Sequence, residues 1–244
     1  MSGSGICNTR LGCWKALCMR SEERIVQDFD PQEGTERMAE RDRERRFDRL
    51  AAEAQACVRC PRLAERIAVL SRANGSLAPR VVFVAEAPGR RGGDRTRVPM
   101  QGDASGQTFR WLMQQAGLRA EEVFITNAVL CNPRKPSGAN DKPTANEIAN
   151  CSDFLRRQLD LLRPELVVSV GATALAALGR LEPHGLRLTT DVGRCIPWRG
   201  ARLLPVYHPS PQVLISRRSL AEQAADWQAI RHALAPALNE KPTF

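Results

Sequence analysis

Four short apolar runs constrain what this chain can fold into. Val81–Ala85, Val123–Asn127, Leu166–Val170 and Arg202–Tyr207 are each too short for a stable helix and carry β-prone side chains. Helical patterns lie between and after them, over Ser105–Ala116, Ala145–Leu162, Ala172–Leu178 and Leu220–Leu234. Strands that alternate with helices predict the α/β class, because parallel neighbours need a crossover that a helix supplies. The expected architecture is a four-stranded, mainly parallel central sheet flanked by helices in three layers. Such sheets take ligands at the carboxyl ends of their strands. The residues that follow each run are therefore the candidates for chemistry.

Composition bounds the rest. With 43% hydrophobic residues in a chain of 244, there is enough apolar surface for a real core. Residues 1–37 lack periodicity and read as a poorly ordered tail, with Cys7, Cys13 and Cys18 as spare thiols. Met38–Ala56 reads as a charged amphipathic helix with Phe47, Leu50 and Ala54 on one face, and residues 38–240 as the folded domain. The longest uncharged apolar run, Leu166–Gly179, has fourteen residues, short of the roughly 18 that a membrane span needs. Arg10, Lys15 and Arg20 interrupt any secretory signal. A cytoplasmic protein is expected, in a bacterial cytosol or nucleoid and as a monomer. Its cysteines then read as metal ligands or buried thiols rather than disulfides. Residues 1–50 balance ten basic against ten acidic side chains, so the formal net charge of +9 belongs to residues 51–244. Most of those bases are arginine, whose planar fork suits phosphate, and a polyanion such as nucleic acid is the fitting partner.

The strand ends carry polar groups. Glu86-Ala87-Pro88-Gly89 and then Gly92-Gly93-Asp94-Arg95-Thr96 follow the first run. The second ends in Thr126-Asn127, and the fourth leads into Tyr207-His208-Pro209-Ser210. Carboxylates, an amide and an imidazole at three strand ends make a candidate site. A second constellation is Cys57-Val58-Arg59-Cys60 with the remote Cys131 and Cys151, a four-thiolate set suited to zinc or to an iron–sulfur cluster. Spacing alone does not separate the two. Cys195 reads as a buried thiol near a hairpin.

These residues resemble the iron–sulfur branch of the uracil-DNA glycosylase superfamily, between families 4 and 5. Ala85-Glu86-Ala87-Pro88-Gly89 is similar to the first motif of family 4. Gly92-Gly93-Asp94-Arg95-Thr96 and Gly102-Asp103-Ala104-Ser105-Gly106 are similar to the longer stretch of family 5. Cys131, Lys142-Pro143-Thr144 and Cys151 match the cysteine loop of these families, and His208-Pro209-Ser210 their second motif. The resemblance runs from about Cys57 to about His232 in consistent order. It implies an enzyme that hydrolyses the N-glycosidic bond of uracil in single- or double-stranded DNA by base flipping, with deaminated purines as a further substrate class. It also implies a structural 4Fe-4S cluster on Cys57, Cys60, Cys131 and Cys151. A non-catalytic binder of damaged or abasic DNA is the alternative within the same fold, and a zinc-stabilised nucleic-acid module is a third reading.

The resemblance assigns roles residue by residue. His208 would donate a hydrogen bond to the departing base, and Asn127 would read the polar edge of uracil. Ala87 and Met100 would line the base pocket; Met100 stands where these families place a stacking phenylalanine. Asp94 is preferred over Glu86 as the carboxylate that orients water and supports positive charge on the sugar. After Ser210, Leu214 or Ile215 would be the apolar wedge that fills the vacated stack, and Arg217 would hold a phosphate. Asn132–Asn150 contains no histidine, so the covalent histidine adduct of a related subgroup is not expected. The single tyrosine, Tyr207, adjoins His208, so the first-motif tyrosine by which family 1 excludes thymine is absent.

Overall fold

A computed structural model describes residues 31–235. In chain order its main elements are α1 (Pro31–Gln55), β1 (Val81–Ala85), α2 (Gly93–Thr96), α3 (Ala104–Gln115), β2 (Val123–Asn127), α4 (Ala145–Leu162), β3 (Leu166–Val170), α5 (Ala172–Leu181), α6 (Leu188–Asp191), β4 (Ile196–Trp198), β5 (Ala201–Val206), α7 (Pro211–Ser216) and α8 (Leu220–Leu234). The chain divides into two compact units, Met1–Glu40 and Arg41–Phe244. Of the first, the start of α1 is described; the second carries the sheet. Cys7, Cys13 and Cys18 lie outside the described residues, as does most of the expected tail.

The sheet runs β2-β1-β3-β5-β4, with the first four strands parallel and β4 antiparallel at the edge. Alternate side chains of each strand enter opposite cores, as the two-residue period requires. Val82, Val84, Phe124, Val167 and Leu203 pack with Phe47, Leu50, Phe154, Leu155 and Leu178, which come from α1, α4 and α5. Val81, Phe83, Val168, Leu204 and Val206 pack on the other face with Phe109, Leu112, Trp227 and Ile230 from α3 and α8. Phe83 stacks on Trp227 at 5.3 Å between ring centroids, and Phe109 meets both rings edge-on. Both faces being covered explains why β1 is an uninterrupted apolar run and β3 is broken only by Ser169, rather than either alternating.

Register fixes the site edge. Ala85 pairs with Asn127, Val84 with Ser169 and Val170 with Val206, so the four parallel strands finish level with one another. Glu86, Asn127, Gly171 and His208 therefore emerge along one edge. The strand order reverses between β1 and β3, with β2 added on one side and β3 on the other, which is where doubly wound sheets open a crevice.

The sheet has five strands where the sequence suggests four. The extra strand, β4, is three residues long and contains Pro197, too little for a periodic signal. It pairs with β5 through a tight turn at Arg199-Gly200, both in the left-handed region. Helix α1 begins at Pro31, so it takes in residues 31–37 that the expected tail had claimed. Proline is favoured at a first helical position, but the dense charge that follows hides the apolar stripe. Cys195 is exposed, not buried.

Candidate active site

A cleft of about 730 Å³ opens at the carboxyl edge of the sheet. Seven of the residues picked out from sequence line it: Glu86, Ala87, Met100, Asn127, His208, Ser210 and Arg217. They come from the ends of β1, β2 and β5, from the loop before α3 and from α7 with its flanks. Tyr207 lines it as well, beside His208.

Asn127 ends β2 with its side chain in the cleft wall. It is 3% exposed, and its Nδ2 has no hydrogen-bond partner. A buried amide donor left unpaired costs about 1–3 kcal/mol, so a ligand acceptor at that spot would be bound with the desolvation already spent. His208 follows β5. Burial pushes its imidazole below the usual histidine value, while the nearby negative charges of Glu86 and Asp103 oppose that shift. The ring is accordingly neutral at pH 7 and has one N–H to donate. Gly171, just after β3, turns the chain beside it with φ at +96°, a conformation that side chains rarely adopt. Glu86 reaches across from β1 and accepts a hydrogen bond from Thr173 Oγ1 at the start of α5.

Met100 lines the cleft with φ at +51°, a left-handed conformation held from behind by α3. A Cβ on Gly106 would fall 2.3 Å from the Met100 carbonyl oxygen, so this helix turn presses directly on that backbone. Non-glycine residues rarely hold this conformation unless the surroundings impose it, and such strain gathers at binding sites. Helix α7 buries no residue, which removes the alternative that Val213-Leu214-Ile215 is ordinary core. Ser210 caps it by accepting from the Val213 N–H. Ile215 is 88% exposed, whereas Leu214 is half-buried and does not line the cleft.

Asp94, the other candidate carboxylate, is held by arginines. It is buried but is not among the cleft-lining residues. Its Oδ2 accepts from Arg134 Nη2 at 2.5 Å, and its Oδ1 meets Arg97 Nη1 at 3.5 Å. Arg134 in turn donates to Asn132 Oδ1 at 2.7 Å, and Asn132 donates to the Pro88 carbonyl at 2.6 Å. Asn140 accepts from the Arg90 N–H and from Asn132. These bonds clamp the loop after β1 to the loop after β2. The carboxylate thus holds two loops together, and the partner responsible lies forty residues away in sequence. The residues that sequence reasoning missed are Asn132, Asn140, Thr173 and the cleft carboxylate Asp103. For Asp103 the signal was present as a helix-capping aspartate ahead of Ala104.

The four cysteines form a separate constellation. Cys57 and Cys60 follow α1, Cys131 follows β2, and Cys151 sits in the second turn of α4. All four line one small cavity, walled by Leu63, Val129 and Phe154. Burial, reinforced by the neighbouring cysteines, pushes the Cys131 thiol up to about 12, and burial pushes Cys151 up to about 11. Arg59 lies over the Phe154 ring at 4.4 Å and donates to Cys57 Sγ at 3.3 Å; Asn150 Nδ2 reaches Cys60 Sγ at 3.5 Å. Arg62 braces the same corner, bonding both oxygens of Glu147 in α4 and also Asp141. Among the described residues no group of three or more Cys, His, Asp or Glu side chains is arranged to hold a metal ion.

The chain matches the family model described as the uracil DNA glycosylase superfamily over residues 73–231. It is 34% identical to the type-4 uracil-DNA glycosylase of Thermotoga maritima, across 69% of this chain and 83% of that protein. It is 33% identical to the type-5 uracil-DNA glycosylase of Pyrobaculum aerophilum, across 74% of this chain and 89% of the relative. A type-5 enzyme of Thermus thermophilus is 34% identical across 57% and 68% respectively. No helix among the described residues is long and apolar enough to cross a membrane.

The clamp predicts a coupling. Arg134→Ala should destabilise the protein by about 1–3 kcal/mol, because the buried Asp94 carboxylate keeps only the longer contact to Arg97. Combined with Asp94→Asn, the loss should be smaller than the sum of the two single losses. Chemical denaturation of the four proteins measures this, and additive losses would show that the pair does not interact.

Proposed function

The chain belongs to the uracil DNA glycosylase superfamily, and from that premise we propose that it excises uracil from DNA and leaves an abasic site. The observation that carries the reading is the buried, unpaired Nδ2 of Asn127 in the cleft wall. A uracil flipped into the cleft would supply its acceptor: Nδ2 donates to O4 while Oδ1 accepts from N3–H. Cytosine offers the opposite pattern and would leave both groups unsatisfied, which discriminates strongly.

The remaining side chains fit a dissociative hydrolysis. As the C1′–N1 bond breaks, its electron pair leaves with the base and negative charge grows on uracil. The neutral His208 N–H donates to that charge where little reorganisation is needed. Water adds at C1′ and its proton passes to Glu86, the carboxylate that follows β1 and lines the cleft. We assign this role to Glu86 rather than to Asp94, whose two oxygens are engaged by arginines outside the cleft lining. Asp94 acts through its clamp on the glycine-rich loop. Met100 and Ala87 pack on the base, with Met100 the looser substitute for a ring. Ser210 and Arg217 approach the backbone phosphates, and the basic excess of residues 51–244 supplies the salt-dependent part of binding. For the wedge, the exposure of Ile215 favours it over Leu214.

Cys57, Cys60, Cys131 and Cys151 fit a 4Fe-4S cluster in donor type and number. Their shared cavity and the sulfur-directed donors Arg59 and Asn150 support the reading. When bound, the cluster would tie the segment after α1 to the loop after β2 and to α4. Thiols kept unoxidised for this purpose suit a cytoplasmic protein.

Five outcomes test this reading. A uracil-containing oligonucleotide should become alkali-labile, and a thymine control should not. Glu86→Gln and His208→Ala should each slow release by about a hundredfold or more. The parent rate should stay flat around pH 7 and fall on the acid side at a pH below the usual histidine value, since activity needs the neutral ring and burial lowers its pKa. An acid limb above that value would contradict the assignment. Ile215→Ala should impair duplex substrates more than single strands, and equal loss on both would refute the wedge. The purified protein should be brown and contain both iron and acid-labile sulfide; a colourless zinc protein would overturn the cluster.

A further inference from the structure

Asp103 is a cleft carboxylate that the mechanism above leaves unused. Its Oδ1 caps α3 by accepting from the Gly106 N–H at 2.9 Å. Its Oδ2 has no hydrogen-bond or ion-pair partner among the described residues. That second oxygen is packed against the glycine-rich loop. A Cβ on Gly92 would lie 2.3 Å from Oδ2 and 2.8 Å from Cγ, and one on Gly89 would lie 3.2 Å from Oδ2. Any side chain at position 92 would evict the carboxylate, so the loop's glycine is needed to admit it. Gly89 and Asp103 line the same cleft as His208, and the Asp103 charge is one of two anions, with Glu86, that act on the imidazole.

Three acidic side chains thus surround the glycine-rich loop in three different settings. Asp94 is neutralised by two arginines. Glu86 accepts from a threonine hydroxyl. Asp103 lines the cleft with no cation at ion-pair distance among the described residues, and its Oδ2 lies against the loop without a hydrogen-bond donor. The reaction needs a fixed anion as well as a proton acceptor, because the sugar gains positive charge before water arrives, and a preorganised charge in a sheltered site stabilises it most.

We propose that Asp103 is a second catalytic carboxylate, whose free Oδ2 faces the deoxyribose of the flipped nucleotide and stabilises its oxocarbenium character. This rests on the uracil-excising reading of the cleft. Asp103 gains and loses no proton: the C1′–N1 electron pair departs with uracil, and the proton of the incoming water goes to Glu86. The division of labour leaves helix capping to Oδ1 and electrostatics to Oδ2.

The two roles separate experimentally because Asn and Ser cap helices about as well as Asp. In D103N and D103S the thermal midpoint should hold while kcat for uracil release falls about a hundredfold, with little change in KM. The acid limb should also move to lower pH in both, since Glu86 would remain as the anion acting on His208. Parental kcat in either variant overturns the proposal, as does a loss of activity that tracks a falling midpoint, which would mark Asp103 as a cap alone. If the unaltered protein releases no uracil, the reading of the cleft fails and this inference with it.

Discussion

The level finish of four parallel strands is the constraint on which everything else depends. β1 lies between β2 and β3, and the register that pairs Ala85 with Asn127 delivers Glu86 and the Asn127 amide to one edge. The same ladder, carried through β3 to β5, brings His208 to that edge from more than eighty residues further along the chain. A slip of one residue in any strand would send its apolar set to the wrong face. Burial on both faces therefore enforces the register, and the register enforces the site. The apolar packing of Phe83, Phe109 and Trp227 is in this sense part of the active-site geometry.

What the edge holds is deliberately poor in satisfied groups. Asn127 keeps a buried donor without an acceptor, His208 is desolvated into neutrality, and Met100 is held in a left-handed conformation by the turn of α3 behind it. Each is unfavourable in isolation and together they cost about a few kcal/mol. Such a site is preorganised: little has to be desolvated or reoriented when a base arrives. The stabilising contacts sit in the Asp94–Arg134–Asn132 clamp at the margin of the site and in the Arg62–Glu147 brace beside the cysteines.

The sequence was most legible where local pattern and tertiary role agree. β1, β2 and β3 and the helices α4 and α8 have the boundaries their periodicity suggested, because each is a complete apolar run or stripe that packing had no reason to alter. Seven candidate residues line the cleft since strand ends are predictable once strands are. β4 escaped notice because three residues with a proline carry no period and its pairing is set by the turn at Gly200. The surroundings of Asp94 were illegible for a different reason. Its motif is local, but its surroundings are not, and nothing near Asp94 in sequence announces that Arg134 will claim its carboxylate. Asp103 stood in the sequence only within the Gly102–Gly106 motif, and its second oxygen became meaningful once Gly92 and the cleft were in view.

The account stands on Asn127 meeting the base. The most direct measurement is a crystal structure of the protein with DNA carrying a non-hydrolysable deoxyuridine analogue. The account predicts a flipped uracil whose O4 and N3–H edge pairs with the Asn127 amide, so that Nδ2 gains the acceptor it lacks, with His208 on the base and Asp103 nearest the sugar. A flipped base that leaves Asn127 Nδ2 unpaired, or that lodges elsewhere in the cleft, would contradict it.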